Sequence, residues 1–116
     1  PLLELIARYK PVPIARRLSE GDEVAGFTVH DTPGHSPGHI AFWRESDRTL
    51  VCGDVWFNMD FKRMKPKLGP PFKLPTIDPE QNRRSMQRLA DLRPETVGFG
   101  HGPVMTGAAD QLRPLP

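Results

Sequence analysis

The chain has 116 residues and a formal net charge of +2 at pH 7, with 16 Lys and Arg against 14 Asp and Glu. This small basic excess does not favour nucleic acid as a partner, and no apolar run approaches the roughly 20 residues that a membrane-spanning helix needs. Only 37% of the residues are hydrophobic, and 14 Pro with 10 Gly predict many turns around a core of modest size.

The first predicted elements are a helix and a strand. Residues 2–9 carry apolar side chains at helical spacing, and Pro11 ends the pattern. A turn is predicted at Gly21–Asp22. Residues 27–31, "FTVHD", then alternate apolar and polar side chains, which predicts a strand with one buried face and with His30 exposed.

Two further strands follow a turn rich in proline and glycine. Residues 39–43, "HIAFW", and residues 49–52, "TLVC", are short apolar runs joined by a polar turn. Cys52 is expected to pack as a small buried hydrophobe. Because this single cysteine cannot form an internal disulfide and no signal peptide is visible, we expect a reducing, cytoplasmic compartment.

Residues 55–77 are predicted to form a long irregular loop, because they contain four prolines. A basic run in this segment is typical of a solvated loop, and contact with an anionic substrate is the alternative. Trp56 and its apolar neighbours either line a pocket or pack in the core. The basic run comprises Lys62, Arg63, Lys65, Lys67 and Lys73, and the apolar neighbours are Phe57, Met59 and Phe61.

The sharpest boundary is the start of a helix. Asp78 is predicted as the N-cap, a proline follows it at the first helical position, and Gln81 takes the capping-box position. The helix is expected to end near Leu92, before a proline. Residues 96–100, "TVGFG", predict a short strand, and a final helical turn is expected with Thr106 as its cap.

Three polar residues each follow a predicted strand: His35, Asp54 and His101. If these strands run the same way in one sheet, the three side chains emerge at one edge. Two imidazoles and a carboxylate suit zinc, and also iron or manganese. Taken singly, His35 and Asp54 are common turn residues, whereas His101 between two glycines has no local packing reason. His39 is expected to hold the turn by a hydrogen bond rather than to bind metal.

The motifs "DTPGHSPGHIAFW", "RTLVCGDVWF" and "FGHG", in this order, resemble the second half of a metallo-β-lactamase-fold hydrolase of the glyoxalase II type. The resemblance covers about residues 18–105. It implies half of an αββα sandwich, an α/β unit with a mixed sheet and covering helices. It also implies that His35 binds a first metal, that Asp54 bridges two metals, commonly zinc, and that His101 binds the second, with His39 structural. A metal-bound hydroxide would then attack an ester, thioester, lactone or amide of a small molecule.

One part of the family pattern is missing. The His-x-His-x-Asp-His cluster of the first half does not occur in this sequence, which begins with Pro1. We therefore expect residues 1–116 to be the C-terminal part of such a domain, a fragment with an incomplete site that alone binds zinc weakly and turns over little. Its apolar sheet face would be covered by a missing N-terminal segment or by a second copy in a homodimer.

Two other functions are compatible with the sequence. One is a non-catalytic binding or scaffold module of the same fold. The other is an unrelated basic protein, rich in loops, that binds anionic partners through residues 62–73.

Overall fold

The computed structural model describes residues 10–116, so the helix predicted for residues 2–9 lies outside the described residues. Within the described part, no helix is both long and apolar enough to span a membrane. The elements in chain order are β1 (Glu23–Val24), β2 (Phe27–Asp31), β3 (Ile40–Arg44), β4 (Thr49–Gly53), β5 (Phe57–Asp60), β6 (Lys65–Gly69), α1 (Pro79–Ala90), β7 (Thr96–Phe99), β8 (Met105–Thr106) and a 3-10 turn (Ala108–Asp110).

Six strands form one mixed sheet in the order β1–β2–β3–β4–β7–β8, and β5 pairs with β6 separately. Strands β1 to β4 are antiparallel neighbours, whereas β7 joins β4 in parallel. It follows that β2, β4 and β7 all run in the same direction. Their C-terminal ends therefore meet at one edge of the sheet. The predicted α/β class with a mixed sheet is confirmed, and in residues 10–116 a single α-helix covers it.

Helix α1 begins where the sequence predicts. The side chain of Asp78 accepts a hydrogen bond of 2.9 Å from the backbone N–H of Gln81, and Pro79 occupies the first helical position. The helix ends at Ala90, two residues earlier than predicted. Arg93 has a positive φ of 53°, so the chain has left the helical conformation before it reaches Pro94.

The core lies between α1 and one face of the sheet. Met86 and Leu89 of α1 are completely buried against this face. Cys52 is also buried, and burial raises the pKa of its thiol to about 12, which keeps the thiol protonated and inert. The other core residues from the sheet and the loops are Ala41, Trp43, Leu50, Val55, Trp56, Val97, Ala108 and Leu112.

The face assignment of β2 differs from the prediction. His30 pairs across the sheet with Ala41, on the side that α1 covers, and its side chain is only 16% exposed. This burial lowers the pKa of His30, and the guanidinium of Arg88 lies 3.4 Å from its ring. The prediction that His30 is exposed is therefore wrong. Its polar ring is accommodated on the side of the sheet that faces α1 because the guanidinium of Arg88 contacts it there.

The opposite face of the sheet is apolar and partly open. Val29, Phe42 and Val51 form one cross-strand row on this face. Val29 is buried, whereas Phe42 is half-buried and Val51 is 40% exposed. A sheet with one face packed on a helix and an apolar second face is built to be covered on both sides.

The prediction of an irregular loop over residues 55–77 is wrong. This segment contains the β5–β6 hairpin. Pro66 fits into β6 because a two-stranded ribbon has only edge strands, where a missing backbone N–H breaks no central ladder. The hairpin is anchored to the rest of the molecule by Asn58, whose backbone N–H donates to the carbonyl of His101 at 2.9 Å.

The predicted cap of the final turn is also wrong. Thr106 lies in β8, and the residue before the 3-10 turn is Gly107, in the left-handed conformation with φ of 62°. Glycine adopts this conformation without the steric cost that a side chain brings.

Candidate metal centre

The structure brings together the three residues that follow β2, β4 and β7. The Nε2 atom of His35 lies 3.4 Å from Oδ2 of Asp54, and Nε2 of His101 lies 3.5 Å from Oδ1 of the same carboxylate. Each carboxylate oxygen thus faces one imidazole. This is the arrangement in which a single carboxylate can bridge two cations, each with its own histidine.

Asp54 is positioned by the end of strand β4. It is the first residue after this strand, and the parallel ladder to β7 continues beyond it through a 2.9 Å hydrogen bond from Gly100 N–H to the carbonyl of Gly53. At Gly100 a Cβ atom would lie 2.2 Å from Oδ1 of Asp54. Glycine is therefore required at position 100 for the carboxylate to lie beside the loop that carries His101.

His101 lies in the loop between β7 and β8. Its carbonyl accepts the N–H of Asn58, and the Asn58 side chain donates to the carbonyl of Pro103 at 2.9 Å. Asn58 is almost fully buried. The β5–β6 hairpin thus holds the His101 loop from the side, while the imidazole itself stays 48% exposed.

His35 is held by a residue that the sequence did not point to. Its Nδ1 lies 3.0 Å from Oγ1 of Thr76, and that hydroxyl lies 2.7 Å from the carbonyl of Phe72. Because the Thr76 hydroxyl donates its hydrogen bond to the carbonyl, its oxygen accepts a hydrogen bond from the N–H at Nδ1 of His35. The lone pair of His35 is then on Nε2, the nitrogen that faces Asp54. No sequence signal identified Thr76, which is 41 residues from His35.

His39 uses both ring nitrogens to hold the loops together. Its Nε2 accepts the backbone N–H of Asp54 at 3.0 Å, and its Nδ1 lies 2.7 Å from Oγ1 of the buried Thr32. Because the Nε2 lone pair already accepts a hydrogen bond, it is not available to a metal. Burial lowers the pKa of His39, partly offset by the negative charge of Asp54, and so favours the neutral ring that this arrangement needs.

The donor set and one orphaned atom fit a divalent cation. Among residues 10–116, the buried Oδ1 atom of Asp54 has no hydrogen-bond partner, and its nearest polar neighbour from the site is Nε2 of His101 at 3.5 Å. An unpartnered buried acceptor costs about 1–3 kcal/mol, so a native site that keeps one normally supplies a cation or another partner. Imidazole nitrogen and carboxylate oxygen are suitable ligands for zinc, iron and manganese.

The described residues do not complete a metal site by themselves. In the part of the chain that the structure covers, no three His, Cys, Asp or Glu side chains converge closely enough to hold one ion. His35 and His101 instead lie at different oxygens of Asp54. Each position therefore has one candidate nitrogen ligand and one candidate oxygen ligand, whereas a typical closed zinc site has four ligands.

Aromatic rings surround the open side of the centre. The ring of Phe57 packs 4.5 Å from the imidazole of His101 and 6.5 Å from that of His35, measured between centroids. Phe61 lies 5.9 Å from His101. Such rings exclude water and strengthen electrostatic interactions at the polar atoms beside them.

The mixed sheet backed by a helix makes this chain an α/β protein. The carboxylate between two imidazoles, at the C-terminal edge of that sheet, is a candidate two-metal centre. The sequence profile of the metallo-beta-lactamase superfamily matches residues 3–101. The chain belongs to this superfamily, so the interpretation of the chain as an unrelated basic protein is wrong.

Curated relatives and solved structures agree with the family. The chain is 41% identical over 83 residues to a probable metallo-hydrolase, YflN of Bacillus subtilis, covering 66% of this chain and 31% of that protein. It is 37% identical over 93 residues to hydroxyacylglutathione hydrolase of Bdellovibrio bacteriovorus, covering 76% of this chain and 33% of that one. The crystal structure of TTHA1623 in a di-iron-bound form matches with a TM-score of 0.65 and 36% identity, over 90% of this chain and 49% of that chain.

A more distant structure supports the fold alone: the metallo-beta-lactamase from Pontibacter korlensis, with a TM-score of 0.61 at 14% identity. The chain spans about a third of the length of the two curated relatives named above and about half of the di-iron protein.

Proposed function

We propose that this chain is part of a metal-dependent hydrolase and that it supplies the carboxylate that bridges the two metal ions. The observation that supports this most strongly is the Asp54 carboxylate, with one imidazole at each oxygen and with a buried, unpartnered Oδ1. The substrate is a small molecule with an ester, thioester, lactone or amide. A thioester is the first candidate, because one similar protein is named hydroxyacylglutathione hydrolase.

The geometry supports a ligand role for each of these three residues. His35 Nε2 and Asp54 Oδ2 would hold one divalent ion, and His101 Nε2 and Asp54 Oδ1 the other. When bound, such an ion lowers the pKa of its water to about 7 and polarises a carbonyl group. Zinc is the favoured metal, and iron is the next candidate because a similar protein was crystallised with two iron ions.

The other residues of the centre position these ligands. Thr76 fixes the His35 tautomer, and His39 holds the backbone of Asp54. Phe57 packs against one side of the His101 imidazole. With these supports in place, the ligands need little reorganisation when a cation binds.

The remaining ligands would come from outside residues 1–116. The His-x-His-x-Asp-His cluster is absent here, and each position has only two ligands. We therefore expect residues 1–116 alone to bind zinc weakly. The same outside segment would cover the apolar sheet face at Phe42 and Val51, with a second copy of the chain as the alternative cover.

The test compares the product of the complete reading frame with residues 1–116 alone. Both are loaded with Zn²⁺, Fe²⁺ or Mn²⁺, desalted, and assayed for bound metal, oligomeric state and hydrolysis of acyl thioesters and nitrophenyl esters. We expect the complete product to retain up to two ions and to hydrolyse at least one substrate class. Tight metal binding without hydrolysis would favour the non-catalytic module, and no metal binding would refute the proposal.

Replacing Thr76 with valine is expected to weaken metal binding by about 10- to 100-fold, the usual effect of removing a hydrogen bond to a ligand histidine. The valine side chain keeps the shape of threonine but lets the His35 ring rotate and change tautomer. Metal competition with a chromogenic chelator measures the affinity. Thr106→Val in β8, on the exposed surface, is the matched control. An affinity unchanged by Thr76→Val would mean that the hydrogen bond with Thr76 does not position His35 for metal binding.

A further inference from the structure

A second feature lies beside the candidate metal centre: an open cavity of about 430 Å³ formed by the β5–β6 hairpin and the segment after it. Cavities of about 300–1,000 Å³ commonly hold small ligands. This one has two chemically distinct parts, an aromatic wall and a basic rim. Neither part contributes to the metal ligands.

The aromatic wall adjoins the centre. Phe57, Phe61 and Phe72 line the cavity, and their ring centroids are 5.3–6.1 Å apart. Phe57 and Phe61 also contact the imidazole of His101. Phe61 is 42% exposed and Phe72 is 55% exposed, although apolar side chains of this size gain from burial. The wall therefore offers apolar surface directly next to the position of the reacting group.

The rim carries a net positive charge. Lys62, Arg63 and Lys67 line the cavity, against one acid, Asp60. Arg63 is already paired with Asp60 at 3.1 Å. Among residues 10–116, no carboxylate lies within ion-pair distance of Lys62 or Lys67. Two ammonium groups thus remain to attract an anion to the rim.

From this arrangement we propose that the cavity selects substrates in which an apolar segment of several carbons separates the scissile carbonyl from an anionic group. The carbonyl would lie at the metal centre, the apolar segment against the three phenylalanines, and the anion at Lys62 and Lys67. This inference rests on the proposed function, and it narrows the substrate to acidic, amphipathic acyl compounds. A polar substrate of equal length would leave the phenylalanine wall in water.

The kinetic test uses three nitrophenyl esters of equal chain length with the metal-loaded product of the complete reading frame. Their acyl groups are neutral hexanoyl, anionic adipoyl and cationic aminohexanoyl. We expect kcat/KM to be about tenfold higher for the anionic ester than for the neutral one, and lowest for the cationic ester. The double variant Lys62→Gln/Lys67→Gln should remove this preference. The control, Arg83→Gln/Arg84→Gln on the exposed side of α1, should keep it.

A binding test needs neither metal nor turnover. Anilinonaphthalene sulfonate is an anionic apolar dye, and N-phenylnaphthylamine is its neutral counterpart. We expect the lysine double variant to weaken binding of the anionic dye about tenfold and to leave the neutral dye unchanged. Phe72→Ser should weaken both dyes, and Ile14→Ser, at another exposed apolar position, should weaken neither.

The two tests separate this inference from the proposed function. Hydrolysis of all three esters at equal rates, with dye binding insensitive to the lysines, would overturn the inference and leave the hydrolase intact. Dye binding that depends on the two lysines, without hydrolysis of any ester, would support the proposed anion selectivity of the cavity and would contradict the proposed hydrolase function. Dye binding by residues 1–116 but not by the complete product would mean that another segment fills the cavity, which also overturns the inference.

Discussion

Replacing Asp54 with asparagine is expected to weaken metal binding at least about 100-fold and to reduce hydrolysis in parallel. In the proposed centre this carboxylate contacts both ions directly, and loss of a group that only supports a ligand typically costs about 10- to 100-fold. Asparagine keeps the size and shape of the side chain but has no negative charge. It can also offer only one oxygen, so at one of the two cation positions an amide N–H₂ group would replace the candidate ligand oxygen.

The same substitution should not destabilise the metal-free protein. In that state Oδ1 of Asp54 is buried and, among the described residues, has no partner. The Asp54 side chain is only 28% exposed, and its two oxygens face imidazoles at 3.4 and 3.5 Å rather than a strong charged partner. Removing its charge relieves a desolvation cost, so we expect the free energy of unfolding to stay level or to rise by up to about 1 kcal/mol. If Asp54→Asn weakens metal binding but does not lower the stability of the metal-free protein, the role of Asp54 is functional rather than structural.

Both quantities can be measured on one preparation of the complete product. Metal competition gives the affinity, and urea denaturation with and without a chelator gives the stability. Asp47→Asn is the matched control, because Asp47 is an exposed carboxylate paired with Arg44 away from the centre. Tight binding of two ions by Asp54→Asn would show that the carboxylate does not bridge them.

The centre could be predicted from the sequence because its geometry depends on local signals. Each ligand candidate lies within four residues of the end of a strand that could be identified by its apolar pattern. The parallel pairing of β4 with β7 is consistent with the well-capped helix between them. Once β2, β4 and β7 share a direction, His35, Asp54 and His101 are expected at one edge of the sheet, although the exact position of His35 also depends on its contact with Thr76.

The missed features depend on contacts between distant segments. Thr76 supports His35 only because the start of α1 docks on the loop after β2, and no local pattern reports such a contact. The β5–β6 hairpin lacks the glycine or asparagine turn signal that predicts hairpins. Asp60 holds its turn by accepting the backbone N–H groups of Lys62 and Arg63, and Asn58 ties the hairpin to the His101 loop. The register of β2 with β3 places His30 on the helix side, and the contact with Arg88 that accompanies it joins residues 58 apart in sequence.

Replacing Gly34 with alanine is expected to destabilise the protein by about 2–5 kcal/mol, a large part of the 5–15 kcal/mol typical of a domain. A Cβ atom at this position would lie 2.2 Å from the backbone nitrogen of Asn82 in α1. Neither group can move freely, because the carbonyl of Gly34 accepts the N–H of Asp78 at 2.8 Å. The methyl group would therefore push the first turn of α1 off the loop that carries His35.

The positive φ of Gly34, 140°, also contributes a backbone strain energy to the loss of stability. A second glycine with a positive φ serves as a control for this backbone contribution. Gly21 has a φ of 86°, and a Cβ atom there would meet no atom of the described residues within 4 Å, so Gly21→Ala should cost only the backbone term of about 1–2 kcal/mol. Urea denaturation of the two variants gives the difference, which measures how tightly α1 docks on the His35 loop. If Gly34→Ala is insoluble while Gly21→Ala stays soluble, the result also supports the prediction, because the loss of stability is then too large to measure. Equal losses for both variants would mean that the loop and the helix do not pack as closely as 2.2 Å implies, and that the support of His35 by Thr76 is correspondingly loose.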